Sequence, residues 1–167
     1  MSDTKTAPPP LFNTPLEAAL RSLILLESVE PNACDLQRLV TYDYLLVHSG
    51  DLPDSPASLH PASPLRASEL LVRRKLVEGG LELLVSKGLV KKVFSHAGVL
   101  YAATTGATQV LALMTSPYAK RCIDIAHWIS PRFQPLAASE LQAQIARSFG
   151  RWGAEFTNEP TIDRETE

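Results

Sequence analysis

A long helical pattern from Arg66 to about Lys87 constrains the fold of this chain more than any other segment, because it is apolar on two sides. At about 100° per residue, apolar side chains form one stripe of Leu70, Val77, Leu81 and Leu84 and, roughly opposite, a second of Val72, Leu76 and Leu83. A helix that is apolar on two sides is expected to pack on two sides. The pair Gly79-Gly80 costs about 1 kcal/mol per glycine relative to alanine. It predicts either the close approach of another helix or a break into two helices.

Two shorter helices and a loop precede this segment. The residues Thr14–Glu17 form a capping-box pattern with proline at the first helical position, which predicts a helix running to about Val29. A second helix is predicted from Asp35 to His48. The segment from Asp51 to Leu65 contains four prolines with serines between them, and it is predicted to be a long loop.

A β-hairpin is predicted directly after the long helix. Two β-prone runs, Leu89–Phe94 and Val99–Ala103, flank the turn Ser95–Gly98. The order helix, helix, long helix, hairpin, helix is that of a winged helix-turn-helix module, with the long helix in the place of the recognition helix and the turn as the tip of the wing. The predicted fold class is mainly α with a small β-hairpin: a winged helix-turn-helix with a C-terminal helical extension.

The helical extension is predicted to begin at about residue 107. Helices are predicted from Ala107 to Met114, from Ser116 to about Ile129 with Pro131 and Pro135 as interruptions, and from Ser139 to about Phe149. The predicted boundaries are a disordered N-terminal segment at residues 1–11, a single domain at 12–152, and a loose acidic C-terminal tail at 153–167.

The composition excludes several classes of protein. The formal net charge is −2, from 16 basic and 18 acidic residues, which excludes a strongly cationic nucleic-acid coat protein. The sequence lacks an apolar run near the about 18 residues that span a bilayer, and an apolar signal-peptide core is missing from its first residues. Two cysteines, Cys34 and Cys122, cannot form a disulfide framework. We therefore expect a soluble cytoplasmic protein without membrane contact.

No pattern of catalytic, metal-binding or cofactor-binding residues stands out in the sequence. The four histidines lack metal-ligand spacing, and the phosphate-binding loop motif is missing. His48 and Ser49 are the residue types that a hydrolase would need. Because they are adjacent in the chain, a polar helix end is the favoured interpretation. We expect no metal, no cofactor and no enzymatic activity.

Positive charge is concentrated between residues 66 and 92, which hold seven basic and three acidic residues, a net charge of +4. Lysine and arginine at such density are typical of phosphate contacts. The candidate DNA-binding residues are Arg66, Arg73, Lys75, Lys87, Lys91, Lys92 and, at the wing tip, His96. The alternative is a solvated helix face on which Arg74 and Lys75 pair with Glu78. Asn and Gln are missing between Arg66 and Val93, so DNA binding there would have little sequence preference.

Two charged residues are predicted to project into apolar stripes. Asp43 lies in the stripe of the second helix and Arg74 in that of the third, and a buried charge needs a partner. One interpretation pairs Asp43 with Arg74, or with Arg73, across the two helices. The other is that this face docks a partner protein. Trp152, near the C-terminal end, is a candidate interface residue because large aromatic side chains anchor interfaces.

Four segments carry a resemblance to a known family: Phe12–Glu17, Leu39–Asp51, Ser58–Pro61 and Glu69–Val77. The runs Asp-Tyr-Leu-Leu-Val-His at 43–48 and Glu-Leu-Leu-Val-Arg-Arg at 69–74 are specific in order and spacing. Over roughly residues 12 to 130, the sequence resembles the middle component 2 family of bacterial ABC-three component systems. It is similar to the winged-helix small subunit of Lamassu-type anti-phage defence systems.

The resemblance implies a non-enzymatic winged-helix adaptor. Such a subunit works beside an SMC- or Rad50-like ABC ATPase and an effector subunit, often a nuclease, and couples sensing of abnormal DNA to the effector. The family positions that the chain retains are Asp43, His48, His60, Glu69, Arg73 and Arg74. Lys75 stands where an acidic residue is more often expected.

Two functions remain open on the sequence alone. The first is this adaptor role. The second is a winged-helix transcription regulator that binds DNA through the third helix and the wing, as a symmetric dimer. A homodimer is also an open alternative for the isolated adaptor, with non-specific DNA contact.

Overall fold

The computed structural model describes residues 14–61 and 66–156. The chain divides into two compact units, Met1–Pro135 and Leu136–Glu167. In chain order, the elements are α1 (Pro15–Ser28), β1 (Cys34–Asp35), α2 (Leu36–Val47), α3 (Arg66–Ser86), β2 (Val90–Ser95), β3 (Gly98–Ala103), α4 (Thr105–Ala112), α5 (Pro117–Phe133) and α6 (Ala138–Phe156). The described chain is thus mainly helical with a small three-stranded antiparallel sheet.

The predicted ends of the first two helices are confirmed. At the start of α1, the hydroxyl of Thr14 accepts from the N–H of Glu17, and the carboxylate of Glu17 accepts from the N–H of Thr14. This reciprocal capping box satisfies two N–H groups that a helix start leaves free. At the start of α2, the Asp35 carboxylate accepts from the N–H of Arg38 at 2.7 Å, which is the same type of cap.

Helix α3 runs without a break through its two glycines, so the close-approach interpretation is confirmed. A Cβ atom on Gly80 would lie 2.7 Å from the backbone nitrogen of Ala19 and 2.9 Å from its Cα. The backbone of α1 therefore lies directly against Gly80, where only a hydrogen atom fits. The neighbouring Gly79 has open space around the same position.

The two apolar stripes of α3 have different environments. Val77, Leu81 and Leu84 on the inward side are buried with the apolar side chains of α1 and α2. On the outward side, Val72 is 62% exposed and Leu83 is 37% exposed. The expectation that both sides are packed therefore holds for the inward side only, within the described part of the chain.

The predicted hairpin is present, and a third strand that was not predicted joins it. Strands β2 and β3 pair from Val90↔Ala103 to Ser95↔Gly98, which leaves His96 and Ala97 as the turn. Strand β1 pairs with the other edge of β3, so the sheet order is β1-β3-β2. After Val90, every residue of β2 is exposed.

The C-terminal helices differ from the prediction at two points. Pro131 does not interrupt α5 but lies inside it. Beyond Pro131 the helical hydrogen bonding continues, since the N–H of Gln134 donates to the carbonyl of Ser130 at 3.0 Å. Helices α4 and α5 belong to the first unit. Helix α6 is the described part of the second unit, and it ends at Phe156 rather than near Phe149.

The predicted N-terminal segment, residues 1–11, lies outside the described residues. Of the predicted loose tail, 153–167, the backbone of residues 153–156 continues α6, and the rest lies outside the described residues. Among the helices that the structure describes, none combines the length and the apolar character that crossing a membrane requires.

Candidate functional site

A buried carboxylate on α2 joins three helices. Asp43 is fully buried. Its Oδ1 accepts from Nε of Arg21 on α1 at 2.6 Å, and its Oδ2 accepts from Nη2 of the same arginine at 3.3 Å. Oδ2 also accepts a short bond from Nη1 of Arg73 on α3. Both arginines are buried, with exposures of 1% and 2%, so α1 and α3 are held to α2 by the same carboxylate.

The connection continues along α3 and back to the end of α2. Nη2 of Arg73 donates to Oε1 of Glu69 at 2.5 Å, one helical turn earlier. Nε2 of His48, the C-terminal cap residue of α2, lies 2.8 Å from the same Glu69 oxygen. We call this connected set, Arg21, Asp43, Arg73, Glu69 and His48, the ionic chain.

Burial and pairing act in opposite directions on the ionisation of this set. Burial alone would raise the pKa of Glu69, but the hydrogen bonds and charges of His48 and Arg73 outweigh it and lower the pKa to about 2. The pKa of Asp43 is lowered for the same reason, since Arg21 and Arg73 outweigh burial. Both carboxyl groups are therefore ionised at neutral pH, opposite two arginines.

The rings of His60 and Tyr118 form a pair beside the ionic chain. Nε2 of His60 lies 3.0 Å from the hydroxyl of Tyr118 on α5, and its ring centroid is 6.3 Å from that of His48. Burial and then the positive charges of Arg21 and Arg73 lower the pKa of His60 to about 4. His60 is thus neutral at physiological pH.

The segment that carries His60 is held against the end of α2. The N–H groups of Leu59 and His60 both donate to the carbonyl of Val47, at 3.0 Å each. The buried hydroxyl of Ser49 donates to the carbonyl of Pro56 at 2.9 Å. The proline-rich connection is therefore an ordered part of the first unit over residues 48–61.

The ionic chain joins α1, α2 and α3. His48 is directed at Glu69 and Ser49 at Pro56, so the two residues considered for a hydrolase have separate partners. Four buried polar atoms of the ionic chain have no hydrogen-bond partner in residues 14–61 and 66–156: Arg21 Nη1, His48 Nδ1, Glu69 Oε2 and Arg73 Nε. Buried ion pairs add little net stability, because the cost of removing both charges from water offsets much of their attraction. Groups of three or more potential metal ligands are missing from the same residues.

Comparison with known protein families identifies the chain as a component of a larger system. The model of the ABC-three component (ABC-3C) system Middle Component 2 family matches residues 11–155. The chain belongs to this family. As a Middle Component 2 protein, it is one component of a multicomponent ABC system, which implies partner subunits. No curated protein and no solved structure gives a significant match.

Of the predicted DNA-binding residues of this Middle Component 2 chain, one lies in the interior. Arg73 is buried and paired with Asp43 and Glu69, so its prediction as an exposed phosphate contact is corrected. The exposed ones are Lys75, Lys87, Lys91, Lys92 and His96. Arg66 begins α3, and its side chain is outside what the structure describes.

The candidate partner-binding or ion-pair residues also lie in different environments, some in the core and some on the surface. Asp43, His48 and Glu69 belong to the ionic chain, and His60 packs beside it. Arg74 was predicted to lie in a buried stripe. It is exposed, and its Nη1 donates to Gln37 Oε1 at 3.0 Å, so the pairing of Asp43 with Arg73 is the one that forms. The backbone of Trp152 lies in α6, and its side chain falls outside the described atoms.

Arg21, the second arginine on Asp43, was not predicted from the sequence. Its signal is a single basic residue inside the otherwise uncharged run from Ala18 to Leu26 of α1. A charge in the middle of a buried helical stripe needs a partner in the core. The same reasoning that singled out Asp43 applies to it.

Proposed function

We propose that this Middle Component 2 chain is a non-catalytic cytoplasmic adaptor of an anti-phage defence complex. It holds an SMC- or Rad50-like ABC ATPase and an effector subunit of nuclease type together, and it transmits DNA sensing by the ATPase to the effector. Family membership supports the existence of partner subunits. The observation that carries the protein-binding role is the outward side of α3, which is apolar and exposed.

A winged-helix arrangement is part of the proposal. It is supported by the element order α1-β1-α2-α3-β2-β3 and by the placement of β1 beside β3 in the sheet. One feature differs from a helix-turn-helix with a short turn. Of the connection between α2 and α3, residues 48–61 are folded against the end of α2.

The outward side of α3 favours a protein over a DNA duplex as its principal partner. A recognition helix presents polar and basic side chains to base edges and phosphates. On α3 the exposed side chains are the apolar Leu71, Val72 and Leu83 and the acidic Glu78 and Glu82, beside the basic Arg74 and Lys75. The arginine that would have faced DNA, Arg73, is turned into the core.

The runner-up function is a DNA-binding transcription regulator. It is favoured by the exposed lysines Lys87, Lys91 and Lys92 at the end of α3 and on β2. These residues are suited to non-specific phosphate contacts. Within the adaptor proposal, they supply a secondary contact to DNA that the ATPase has already bound.

The two functions are separated by co-expression. The full chain is produced with a tag, together with the ABC ATPase and the effector encoded beside it, and is analysed by affinity capture and size-exclusion chromatography. An adaptor elutes in one complex with both components. Alone, it shifts a 30-base-pair duplex only at low salt.

A chain that remains separate from the ATPase contradicts the adaptor role. If it also forms a symmetric dimer that shifts the duplex near physiological salt, with steep salt dependence, the regulator is the correct function. Hydrolysis of esters, phosphodiesters or peptides by the purified chain would contradict the non-catalytic part of the proposal.

A further inference from the structure

A cavity lies between α1 and the start of α5, within the first unit. Its volume is about 230 Å³. Apolar side chains form much of its wall, with Leu20 and Ile24 on α1 and Met114 and Ala119 on the opposite side. A protein cavity of about 150 Å³ is large enough to hold benzene. This cavity therefore has room for one aromatic ring that carries a small substituent.

The wall of the cavity also includes a buried cation with an unused hydrogen-bond donor. Arg21 lines the cavity and is 1% exposed. Its Nε and Nη2 both donate to Asp43, and Nη1 lies on the other side of the planar guanidinium, directed away from that carboxylate. Nη1 is buried and has no hydrogen-bond partner in the described ranges 14–61 and 66–156. Because a buried donor without an acceptor is unfavourable, a ligand oxygen that accepts from Nη1 would be bound favourably.

Two side chains of α5 show that the guanidinium of Arg21 lies at the cavity. Tyr118 and Cys122 both line it. Burial raises the pKa of Tyr118 to about 12 and that of Cys122 to about 11, although the nearby charge of Arg21 acts to lower both. Both groups are therefore uncharged at neutral pH. The Tyr118 hydroxyl already lies 3.0 Å from Nε2 of His60, whereas Nη1 of Arg21 has no such contact.

The charges around the cavity favour an uncharged ligand. In the ionic chain, two arginines bond to two carboxylates, Asp43 and Glu69. Glu17, at the start of α1, adds another carboxylate to the lining of the cavity. An anion would therefore meet Glu17 in a site whose arginine is already paired, and a cation would meet Arg21 without offering it an acceptor.

We propose that this cavity is a binding site for a small uncharged aromatic molecule whose carbonyl oxygen accepts a hydrogen bond from Nη1 of Arg21. Its ring packs against Leu20, Ile24 and Tyr118. Aromatic amides have this chemistry. The site lies on α1 and α5, and the proposal does not depend on the adaptor function. Since the ligand binds the folded chain, its binding raises the melting temperature.

The test compares three probes that share a benzene ring and differ in charge: benzamide, benzoate and benzylammonium. Each is titrated at pH 7 into the isotope-labelled full chain, and backbone amide signals are followed by NMR. We expect benzamide to shift the signals of Arg21, Ala119 and Cys122 and to saturate in the millimolar range that suits so small a molecule. We expect benzoate and benzylammonium to bind at least about tenfold more weakly.

A pair of substitutions tests the location. Met114→Trp places a large side chain in the lining of the cavity and is expected to weaken benzamide binding at least about tenfold. Leu113→Trp is the matched control, because Leu113 is 81% exposed and lies outside the lining. We expect it to bind benzamide as the wild type does. Neither residue belongs to the ionic chain, and the melting temperature of each variant without probe checks its fold.

Several results would overturn the proposal. They are the absence of shifts with benzamide, shifts confined to other parts of the chain, or binding of benzoate or benzylammonium as tight as that of benzamide. Equal binding of benzamide by folded Met114→Trp and Leu113→Trp would also overturn it. The probe comparison uses the wild-type chain, so it decides the point even if Met114→Trp does not fold. None of these results bears on the adaptor function, which is tested by co-expression.

Discussion

Arg73 and Arg74 are neighbours on α3 with opposite environments. Arg73 is 2% exposed and bonds to Asp43 and Glu69, whereas Arg74 is exposed and donates to the amide oxygen of Gln37. One residue is a rotation of about 100° on a helix. That rotation separates a core residue from a surface residue.

The first prediction tests Arg73 and uses its neighbour Arg74 as the control. Arg73→Met removes one partner of Asp43 and of Glu69 and leaves both carboxylates underpaired, so we expect the free energy of unfolding to fall by about 3–5 kcal/mol. Arg74→Met makes the same chemical change at the surface and should alter it by less than about 0.5 kcal/mol. Urea unfolding followed by circular dichroism measures both. Equal effects of the two substitutions would contradict the assignment of Asp43 to Arg73.

The second prediction concerns the pH dependence of stability at His60. Its pKa is about 4 in the folded chain against 6.5 ordinarily, so the unfolded chain binds more protons between these values. Stability is therefore full above about pH 6.5 and is lost as the pH falls toward 4. With allowance for solvent screening, the loss is about 1–2 kcal/mol.

The measurement is urea unfolding at pH 7, 6 and 5. His60→Gln cannot titrate and retains a group that can bond to Tyr118. We expect it to flatten the slope in this window. A variant with the same slope as the wild type would assign the pH dependence to other groups.

The residues of the ionic chain could be predicted from the sequence only in part. Asp43 was identified because a charge in an apolar stripe needs a partner. The choice between Arg73 and Arg74 depends on the rotation of α3 relative to α2, which a pattern of apolar residues defines only to within about one residue. Arg21 was missed although it shows the same signal, a charge inside an apolar helical stripe; helical spacing within α1 does not identify its partner on α2.

At the scale of elements, the two glycines of α3 give the third prediction. Gly80→Ala places a Cβ atom 2.7 Å from the backbone of Ala19. Because backbone cannot move aside as a side chain can, we expect a loss of about 1–3 kcal/mol in the free energy of unfolding. Gly79→Ala meets open space and should raise it by up to about 1 kcal/mol. The two melting curves, compared with that of the wild type, decide the point. Shifts of the same sign would contradict the close packing of α1 on α3.

Elements with a local signal were predicted, and those that depend on distant pairing were not. The capping box of α1, the start of α2 at Asp35 and the hairpin follow from neighbouring residues, whereas the sequence left a break in α3 open and the packing of α1 against Gly80 decides against it. Strand β1 has only the two residues Cys34 and Asp35 and exists because Tyr101 and Leu100 lie beside it. Pro131 predicted an interruption of α5, yet proline removes a single N–H donor and the bonds on either side of it hold the helix.

At the scale of the whole molecule, the fourth prediction concerns the two thiols. Burial raises the pKa of Cys34 to about 12 and that of Cys122 to about 11, and both side chains are about 1% exposed. Only the thiolate reacts with disulfide reagents. In the native chain at pH 8, we expect both thiols to react with DTNB only at the rate of global unfolding, and at the same rate because they lie in the same compact unit.

Mild urea is expected to accelerate both reactions in parallel, and mass spectrometry of partly modified chains distinguishes the two sites. Fast modification of either thiol without denaturant would indicate local opening of that part of the first unit.

The rotational orientation of α3 about its own axis has a wider consequence. Two contacts on the inward side fix this orientation: the bond of Arg73 to the Asp43 carboxylate and the packing of Gly80 against the backbone of α1. The residues that face outward take no part in this. Under the proposed binding of a partner by α3, substitutions at those outward positions change recognition at little cost to the folding free energy, so related chains can diverge in their partners and keep the same core.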